Sequence, residues 1–338
     1  MPTPKLDYER FAADADSGAV QSVKGWTWPN ERRFNTWFTR HAFEGSGDVV
    51  DLGCMSGSST IALADGLSRN PRAQGRKVHA YDRFIKSWDA IPGEPLEQVP
   101  TGSDFYDVFL ANTAPWREWI VPHRERISDD TVWPGGEIEL LVVDLMKSFP
   151  TTGTVVRCFY TALAAGRSHV VHQDFIFCGT PWIHLLQYRL RHRFEPVFEI
   201  PDSCSYVFRL TDRPTAEEFE AAVDFSGITP DEIEDAFDYC QGLVTKNSAA
   251  PVKAAKAMAY YHAARLYRRL KASPLGFQDW MERARTALTA IDESLRPHRD
   301  YVRAAKEISQ ATEQAMEEGI RRRMGRPTRR NDRGAPGD

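Results

Sequence analysis

The sequence of 338 residues has no run of apolar residues close to the roughly eighteen that a membrane-spanning helix requires. Its first ten residues lack the apolar core of a secretory signal. Its net charge of -4 gives no sign of a nucleic-acid-binding surface. From these absences we expect no transmembrane helix and neither nucleic-acid nor membrane partners. We expect a cytoplasmic location.

Cysteine is scarce, and its spacing is irregular. The five cysteines are odd in number and never form a C-x-x-C pair; they are Cys54, Cys158, Cys178, Cys204 and Cys240. This pattern predicts neither a disulfide framework nor a zinc site, and it fits a reducing compartment.

A glycine-rich turn is present, but it lacks the G-x-G-x-x-G spacing of dinucleotide-binding turns. A short apolar strand leads into Asp51, and Gly53 and Gly57 follow before a helix that opens with serines. The acidic residue before the turn disfavours phosphate and favours a cation. The pattern points to S-adenosylmethionine, which carries a sulfonium and an ammonium. Its predicted contacts in this turn are Asp51, Gly53, Cys54, Met55, Gly57 and Ser58.

Three further strands are predicted to deliver polar side chains to the same edge of a sheet. The strand Val78–Tyr81 leads into Asp82, whose carboxylate can accept both hydroxyls of a ribose. The strand Leu140–Val143 leads into Asp144, with Lys147 three residues on. The strand His169–Gln173 ends beside Asp174. Oxygen atoms of Asp144, Gln173 and Asp174 would suit Mg²⁺ with waters completing the shell.

The order of elements predicts an α/β fold. Strand-like and helix-like segments alternate between residues 47 and 212, which indicates a Rossmann-like, doubly wound sheet of about seven strands, mostly parallel with an antiparallel edge strand. Other strands are expected at Val49–Leu52, Trp119–Pro122, Pro196–Ile200 and Cys204–Leu210. Helices are expected at Ser59–Leu67, Phe105–Asn112, Gly153–Ala165 and Trp182–Arg191.

Two regions flank this predicted domain. Residues 1–46 read as a helical lead with an aromatic cluster (Trp26, Trp28, Phe34, Trp37 and Phe38) that either covers an acceptor pocket or fastens a helix to the sheet. Residues 213–320 read as helices only, and 321–338 as a disordered basic tail. Amphipathic helices beyond a complete sheet must bury an apolar face, so we expect a homodimer through them.

Taken together, Asp51-x-Gly53-x-x-x-Gly57-x-Ser59, Tyr81-Asp82, Asp144-x-x-Lys147 and Gln173-Asp174 resemble the class I S-adenosylmethionine-dependent methyltransferases. The chain is similar to the metal-dependent O-methyltransferases of the catechol and macrolide-sugar types over roughly residues 20–212. The resemblance implies a small-molecule or sugar hydroxyl acceptor and a biosynthetic role. It also implies Mg²⁺ on Asp144 and proton removal by Lys147. The sequence departs from the catechol type at Gln173, which replaces a carboxylate.

Two other functions stay open at this point. One is a catalytically silent protein that binds S-adenosylmethionine or a partner, which the missing second carboxylate would fit. The other is a nucleotide-sugar or NAD enzyme on a related sheet, which would require the absent G-x-G-x-x-G turn.

Overall fold

In the computed structural model, residues 7–13, 18–270 and 275–323 are described. They contain seven strands, each within a few residues of a predicted one: β1 Asp48–Leu52, β2 Val78–Asp82, β3 Ile120–Arg124, β4 Ile138–Val143, β5 His169–His172, β6 Phe194–Glu199 and β7 Tyr206–Leu210. The interior strands form where runs of Val, Leu and Ile are bounded by glycine and polar residues. Gln173, predicted at the end of a strand, lies directly after β5.

The strands form one sheet in the order β3-β2-β1-β4-β5-β7-β6. Strands β1 to β5 are parallel, whereas β7 is antiparallel to both of its neighbours. The predicted fold class is therefore confirmed, with the antiparallel strand one place in from the edge. Because the chain leaves β1 in one direction towards β2 and later returns on its other side as β4, a crevice opens at the carboxyl ends of β1 and β4.

Eleven α-helices are found in the described residues: α1 Gly18–Ser22, α2 Pro29–Trp37, α3 Ser58–Ser68, α4 Tyr106–Thr113, α5 Phe149–Phe159, α6 Pro181–Arg189, α7 Ala216–Val223, α8 Pro230–Leu243, α9 Ala249–Leu270, α10 Phe277–Thr289 and α11 Arg299–Arg323. A π-helical turn, Phe38–Ala42, extends α2. Short 3-10 turns lie at Tyr8–Ala13, Ala114–Trp119, Tyr160–Ala162, Lys246–Ser248 and Glu293–Leu295. None of the described helices is long and apolar enough to cross a membrane.

The start of α5 differs from the prediction at Gly153. The helix begins at Phe149, because the Ser148 hydroxyl accepts a hydrogen bond from the backbone N–H of Thr151 at 3.3 Å and so caps the first turn. Pro150 lies in that turn, where its missing N–H costs nothing. The capped turn places Lys147 directly before a helix, close to the crevice.

Alternating side chains of the sheet separate two apolar cores. On one face, Val49 and Val142 pack with α2, α3 and α4. On the other face, Val50 and Leu141 belong to a cluster that continues through α5 and α6 into α11. The aromatic residues Phe34, Trp37 and Phe38 of the N-terminal cluster are buried in the first core, so this part of the cluster fastens α2 to the sheet.

The C-terminal helices bury their apolar faces within the chain. Phe237 of α8, Met258 of α9, Trp280 of α10 and Ile308 of α11 belong to the same cluster as the strands. The homodimer was expected because amphipathic helices must bury their apolar faces, and here the faces are buried within the chain. The homodimer itself stays a prediction. The predicted basic tail begins within the last turn of α11, and its residues 324–338 lie outside the described part of the chain.

Candidate functional site

A cavity of about 820 Å³ lies at the carboxyl ends of β1, β4 and β5. It brings together residues from the two ends of the sequence and from the sheet. Its lining includes Gly53, Cys54, Met55 and Ser58 of the glycine turn; Asp144, Lys147, Gln173 and Asp174 after β4 and β5; Trp26, Trp28, Glu31 and Arg32 near the N-terminus; and Arg299, Asp300 and Arg303 of α11. A volume of this size accommodates an organic ligand with room for a second reactant.

The glycine turn is folded by left-handed backbone conformations. Gly53, Met55 and Gly57 have φ values of 91°, 44° and 96°. A Cβ atom on Gly57 would lie 2.8 Å from the Cγ2 atom of Thr113, so this glycine allows the turn to pack against the end of α4. Gly57 thus shapes the turn, whereas Cys54 and Met55 are residues of the turn that line the cavity.

Asp51, predicted to contact the cofactor, is fully buried beneath the turn. One of its carboxylate oxygens accepts hydrogen bonds from the hydroxyls of Ser59 and Thr60, at 2.8 and 2.6 Å. Its other oxygen, Oδ1, has no partner among the described residues. Burial raises the pKa of Asp51 to about 6. The Asp51 carboxylate therefore holds the first turn of α3 in place through one oxygen, while Oδ1 is left as a free acceptor beneath the glycine turn.

Asp82 ends β2 beside the turn. Its carboxylate accepts hydrogen bonds from the backbone N–H groups of Met55 and Phe84, at 3.0 and 2.7 Å. Burial raises the pKa of Asp82, and these two hydrogen bonds oppose the increase. The backbone N–H of Arg83 supports the same carboxylate. An ionised carboxylate has about four acceptor positions, so these contacts do not fill all of them. Asp82 thus fixes the turn; it is not among the residues that line the cavity, and its contact with a ribose stays a prediction.

The segment before α2 packs directly over the turn. A Cβ atom on Gly25 would lie 1.8 Å from the Oγ atom of Ser58, and the hydroxyls of Thr27 and Ser58 are hydrogen-bonded at 2.9 Å. The indole of Trp26 packs against Trp88, with ring centroids 4.8 Å apart, in the loop between β2 and α4. Trp26 and Trp28 therefore line the cavity, unlike the buried aromatic residues that follow them.

A buried acid of α2 also faces the cavity. Glu31 is only 2% exposed, and it accepts hydrogen bonds from the Ser205 hydroxyl at 2.6 Å and from the backbone N–H of Trp28 at 2.8 Å. Burial raises its pKa to about 8. Glu31 therefore ties the N-terminal segment to the turn that leads into β7.

Lys147 lies between two carboxylates. Its ammonium donates hydrogen bonds to Asp144 and Asp174, while about half of its side chain is open to the cavity (51% exposed). Burial works against the charge on Lys147, yet the two carboxylates more than compensate and raise its pKa. Burial raises the pKa of Asp144 to about 7, against the opposing effect of Lys147. In this geometry Lys147 is a stable ammonium.

The residues at this place do not fit the predicted Mg²⁺ site. The Lys147 ammonium already pairs with both carboxylates that would bind the metal, and Gln173 supplies only a neutral oxygen. Within residues 7–13, 18–270 and 275–323, no group of three or more His, Cys, Asp or Glu side chains is arranged to hold a metal. A divalent cation would have to displace Lys147, and we derive no step through it.

His172, at the end of β5, is buried beneath the site. Its Nε2 atom accepts hydrogen bonds from the Gln187 amide at 2.7 Å and from the Tyr160 hydroxyl at 3.1 Å. Burial lowers its pKa to about 3, so it is neutral. It supports the strand end and does not face the cavity.

Helix α11 contributes a wall that sequence reasoning did not anticipate. The guanidinium of Arg299 lies 5.5 Å from the centroid of the Trp28 ring, and that of Arg303 lies 4.9 Å from the centroid of Phe177. Asp300, which is buried, accepts a hydrogen bond from the backbone N–H of Cys178 at 3.2 Å. No local pattern in α11 indicates this role, because the packing of the helix against the core determines it.

No protein-family model matches the chain, and no curated protein matches it. Among solved structures, the chain is similar to the O-methyltransferase NovP, with 16% identity, a TM-score of 0.42, and 54% of this chain and 78% of that chain covered. It is also similar to a SAM-dependent O-methyltransferase from Thermotoga maritima, with 15% identity, a TM-score of 0.36 and coverage of 59% and 74%. A cyclopropane-fatty-acyl-phospholipid synthase-like protein from Lactobacillus casei has 11% identity, a TM-score of 0.28 and coverage of 79% and 96%.

Proposed function

We propose that this protein is an S-adenosylmethionine-dependent methyltransferase that methylates an oxygen atom of a small molecule. The observation that carries the proposal is the set of carboxylates around the glycine turn. Asp51 is the last residue but one of β1, Asp82 is the last residue of β2, and Asp144 directly follows β4; these three strands are adjacent. Negative charge at this place disfavours the pyrophosphate of a dinucleotide and favours a ligand that carries a sulfonium and an ammonium.

In this proposal the turn holds the cofactor. Cys54 and Met55, which line the cavity, contact it, and Asp82, beside the turn, binds the ribose hydroxyls with the acceptor capacity that its backbone hydrogen bonds leave. Trp26 and Trp28 close over it from the N-terminal segment. When bound, S-adenosylmethionine supplies an electrophilic methyl group whose leaving group is a neutral thioether.

The acceptor lies over Asp144 and Lys147. An alcohol is a weak nucleophile until its proton is removed, and a base with a pKa near the working pH removes it best. Because the carboxylates keep Lys147 protonated, we assign proton removal to Asp144 instead of Lys147. The Lys147 ammonium then stabilises the negative charge that develops on the acceptor oxygen. Holding the two reactants in line can supply roughly 7–11 kcal/mol of the barrier reduction.

We also propose that the protein is located in the cytoplasm. All five cysteines are free thiols. This state is the expected one in a reducing compartment.

Calorimetric titration with S-adenosylmethionine and S-adenosylhomocysteine tests the proposal. Micromolar binding that is lost in Asp82→Ala and kept in Asp107→Ala, an exposed acid of α4, would support it. If neither ligand binds the wild-type protein, the proposal fails. If both bind but no tritiated methyl group is transferred to any hydroxyl acceptor in a broad panel, a silent S-adenosylmethionine-binding protein is the better description.

A further inference from the structure

A second cavity, of about 670 Å³, adjoins the first at Lys147, which lines both. It lies between the start of α5 and the outer part of α9. The two cavities therefore meet at the residue that we place at the reacting oxygen.

One wall of the second cavity is aromatic. Phe149 packs against Trp182 and Phe225, with ring centroids 5.4 and 4.5 Å apart. The ring of His262 lies 5.2 Å from that of Trp182. These rings form a continuous surface beside Lys147, and such a surface suits an aromatic or other flat apolar group.

Helix α9, which contributes His262 to this wall, also brings positive charge to the cavity. Arg265 and Arg269 lie four residues apart on α9, so they share one face of that helix. Both are exposed, and neither has a carboxylate of the described residues within ion-pair distance. Arg157, also in the lining, is already paired with Asp129 and Glu220.

The acidic side chains nearby do not balance this charge. Asp224 is the acid among the lining residues, and its carboxylate is turned to Ser226, whose backbone N–H and hydroxyl donate hydrogen bonds to it at 3.0 and 2.6 Å; it forms no ion pair with Arg265 or Arg269. Two guanidinium groups therefore face the cavity without a carboxylate partner. Guanidinium groups bind carboxylates and phosphates in a planar, bidentate manner.

We infer that the second cavity binds the remainder of the acceptor, and that this acceptor carries an aromatic or flat apolar part and an anionic group held by Arg265 and Arg269. The inference rests on the proposed function for its link to methyl transfer. It gives α9 a direct role in acceptor binding, in addition to its packing against the core.

The experiment compares three probes in the presence of S-adenosylhomocysteine: phenyl phosphate, benzoate and phenol. Isothermal titration calorimetry should show that at least one of the two anions binds with one-to-one stoichiometry, at least tenfold more tightly than phenol. Binding should weaken as ionic strength rises, because exposed charges are screened. Phenyl phosphate and benzoate together distinguish a phosphate from a carboxylate as the preferred anion.

The double variant Arg265→Ala/Arg269→Ala should lose at least tenfold in affinity for the anion and bind phenol unchanged. Arg265→Lys/Arg269→Lys should recover part of the affinity, since charge returns without the bidentate geometry. Arg268→Ala is the matched control, because this neighbouring guanidinium pairs with Glu318 and lies over Phe277. Equal affinity for anion and phenol, no binding of either anion, or an unchanged double variant would each overturn the inference. Titration of the double variant with S-adenosylmethionine reports cofactor binding alone. Failure of the anion-binding inference is therefore distinguishable from failure of the proposed function.

Discussion

The backbone nitrogen of Met55 donates a hydrogen bond to the carboxylate of Asp82, with an N–O distance of 3.0 Å. The end of β2 is thereby joined to the turn after β1, beside the crevice where the cofactor is proposed to bind. The same side chain has a structural and a ligand-binding role, and the two roles can be separated by experiment.

Asp82→Ala should loosen the turn as well as weaken cofactor binding. Without the carboxylate, the Met55 amide has lost its acceptor, so its hydrogen exchange in the ligand-free protein should accelerate by about tenfold, the equivalent of roughly 1.4 kcal/mol. Asp82→Asn keeps one oxygen acceptor and should show a smaller effect. Exchange measured by NMR or mass spectrometry checks this. Unchanged protection of residues 53–57 would show that the turn is held by other contacts.

Asp144→Asn should reduce kcat by about 10²–10⁴-fold, as expected for loss of a general base. The wild-type kcat should rise about tenfold per pH unit below the Asp144 pKa of about 7 and level off above it.

Lys147→Met should reduce kcat by about 10²-fold through loss of charge stabilisation, and its pH profile should still rise. Asp104→Asn, at a carboxylate paired with Arg124, is the control. If the rise persists in Asp144→Asn and disappears in Lys147→Met, then Lys147 is the base.

Methyl transfer should not depend on a divalent cation. Because Lys147 already pairs with both carboxylates that would bind the metal, Asp144 and Asp174, excess EDTA should leave turnover within about twofold of its value in Mg²⁺. The assay measures the rate of S-adenosylhomocysteine formation with an acceptor that the enzyme methylates. A known metal-dependent methyltransferase, assayed in parallel, shows that the EDTA removes the metal. A loss of activity that Mg²⁺ restores would mean that the metal displaces Lys147 from the carboxylates.

Glu31→Gln should change the pH dependence of stability. The carboxyl of Glu31 has a pKa of about 8 in the folded protein and an ordinary value of 4.5. Between these values the folded state holds a proton that the unfolded state releases, so the free energy of unfolding should fall as pH rises from about 4.5 to 8. Gln cannot ionise and should abolish this component, with a gain of a few kcal/mol at pH 8. Denaturant titrations at pH 5 and pH 8 check it, with surface Glu118→Gln as control; equal pH slopes for both variants would contradict it.

Gly25→Ala should lift the N-terminal segment from the glycine turn. The added methyl would lie 1.8 Å from the Ser58 hydroxyl and 2.4 Å from its Cβ atom, so one of the two segments must move. Overpacking of this kind costs about 1–3 kcal/mol, which corresponds to roughly tenfold or more in S-adenosylmethionine affinity if the cover contributes to binding. Gly227→Ala, which has no atom within 4 Å of the added group, is the matched control. Wild-type affinity in Gly25→Ala would remove the N-terminal segment from the binding site.

The sheet was predictable because its signals are local. Strand β4, for example, is a run of apolar residues that ends at Asp144, and strand β1 is a shorter run that ends in the glycine turn. The acidic residues at the strand ends were identified for the same reason. The start of α5 was missed because its signal is a single capping serine, Ser148, followed by a proline that is tolerated only in a first turn.

The walls of the cavity were harder to predict. Trp26 and Phe34 belong to one aromatic cluster in the sequence, yet the first lines the cavity and the second lies in the core. Arg299 reaches the site only because α11 packs on a core built by distant helices. The pKa of Lys147 also depends on a partner, Asp174, that another strand supplies. Residue type and spacing do not encode these long-range relationships.

The cavity is closed by Trp26 and Trp28 on one side and by Arg299 and Arg303 on another, residues separated by most of the described sequence. A ligand that touches both groups would join the segment before α2 to α11. Thermal unfolding of the ligand-bound protein would then be a single concerted event, whereas in the empty protein α11 could detach first. Full occupancy of the cavity would also protect α11 from proteolysis, although that helix supplies none of the groups proposed for the methyl-transfer chemistry.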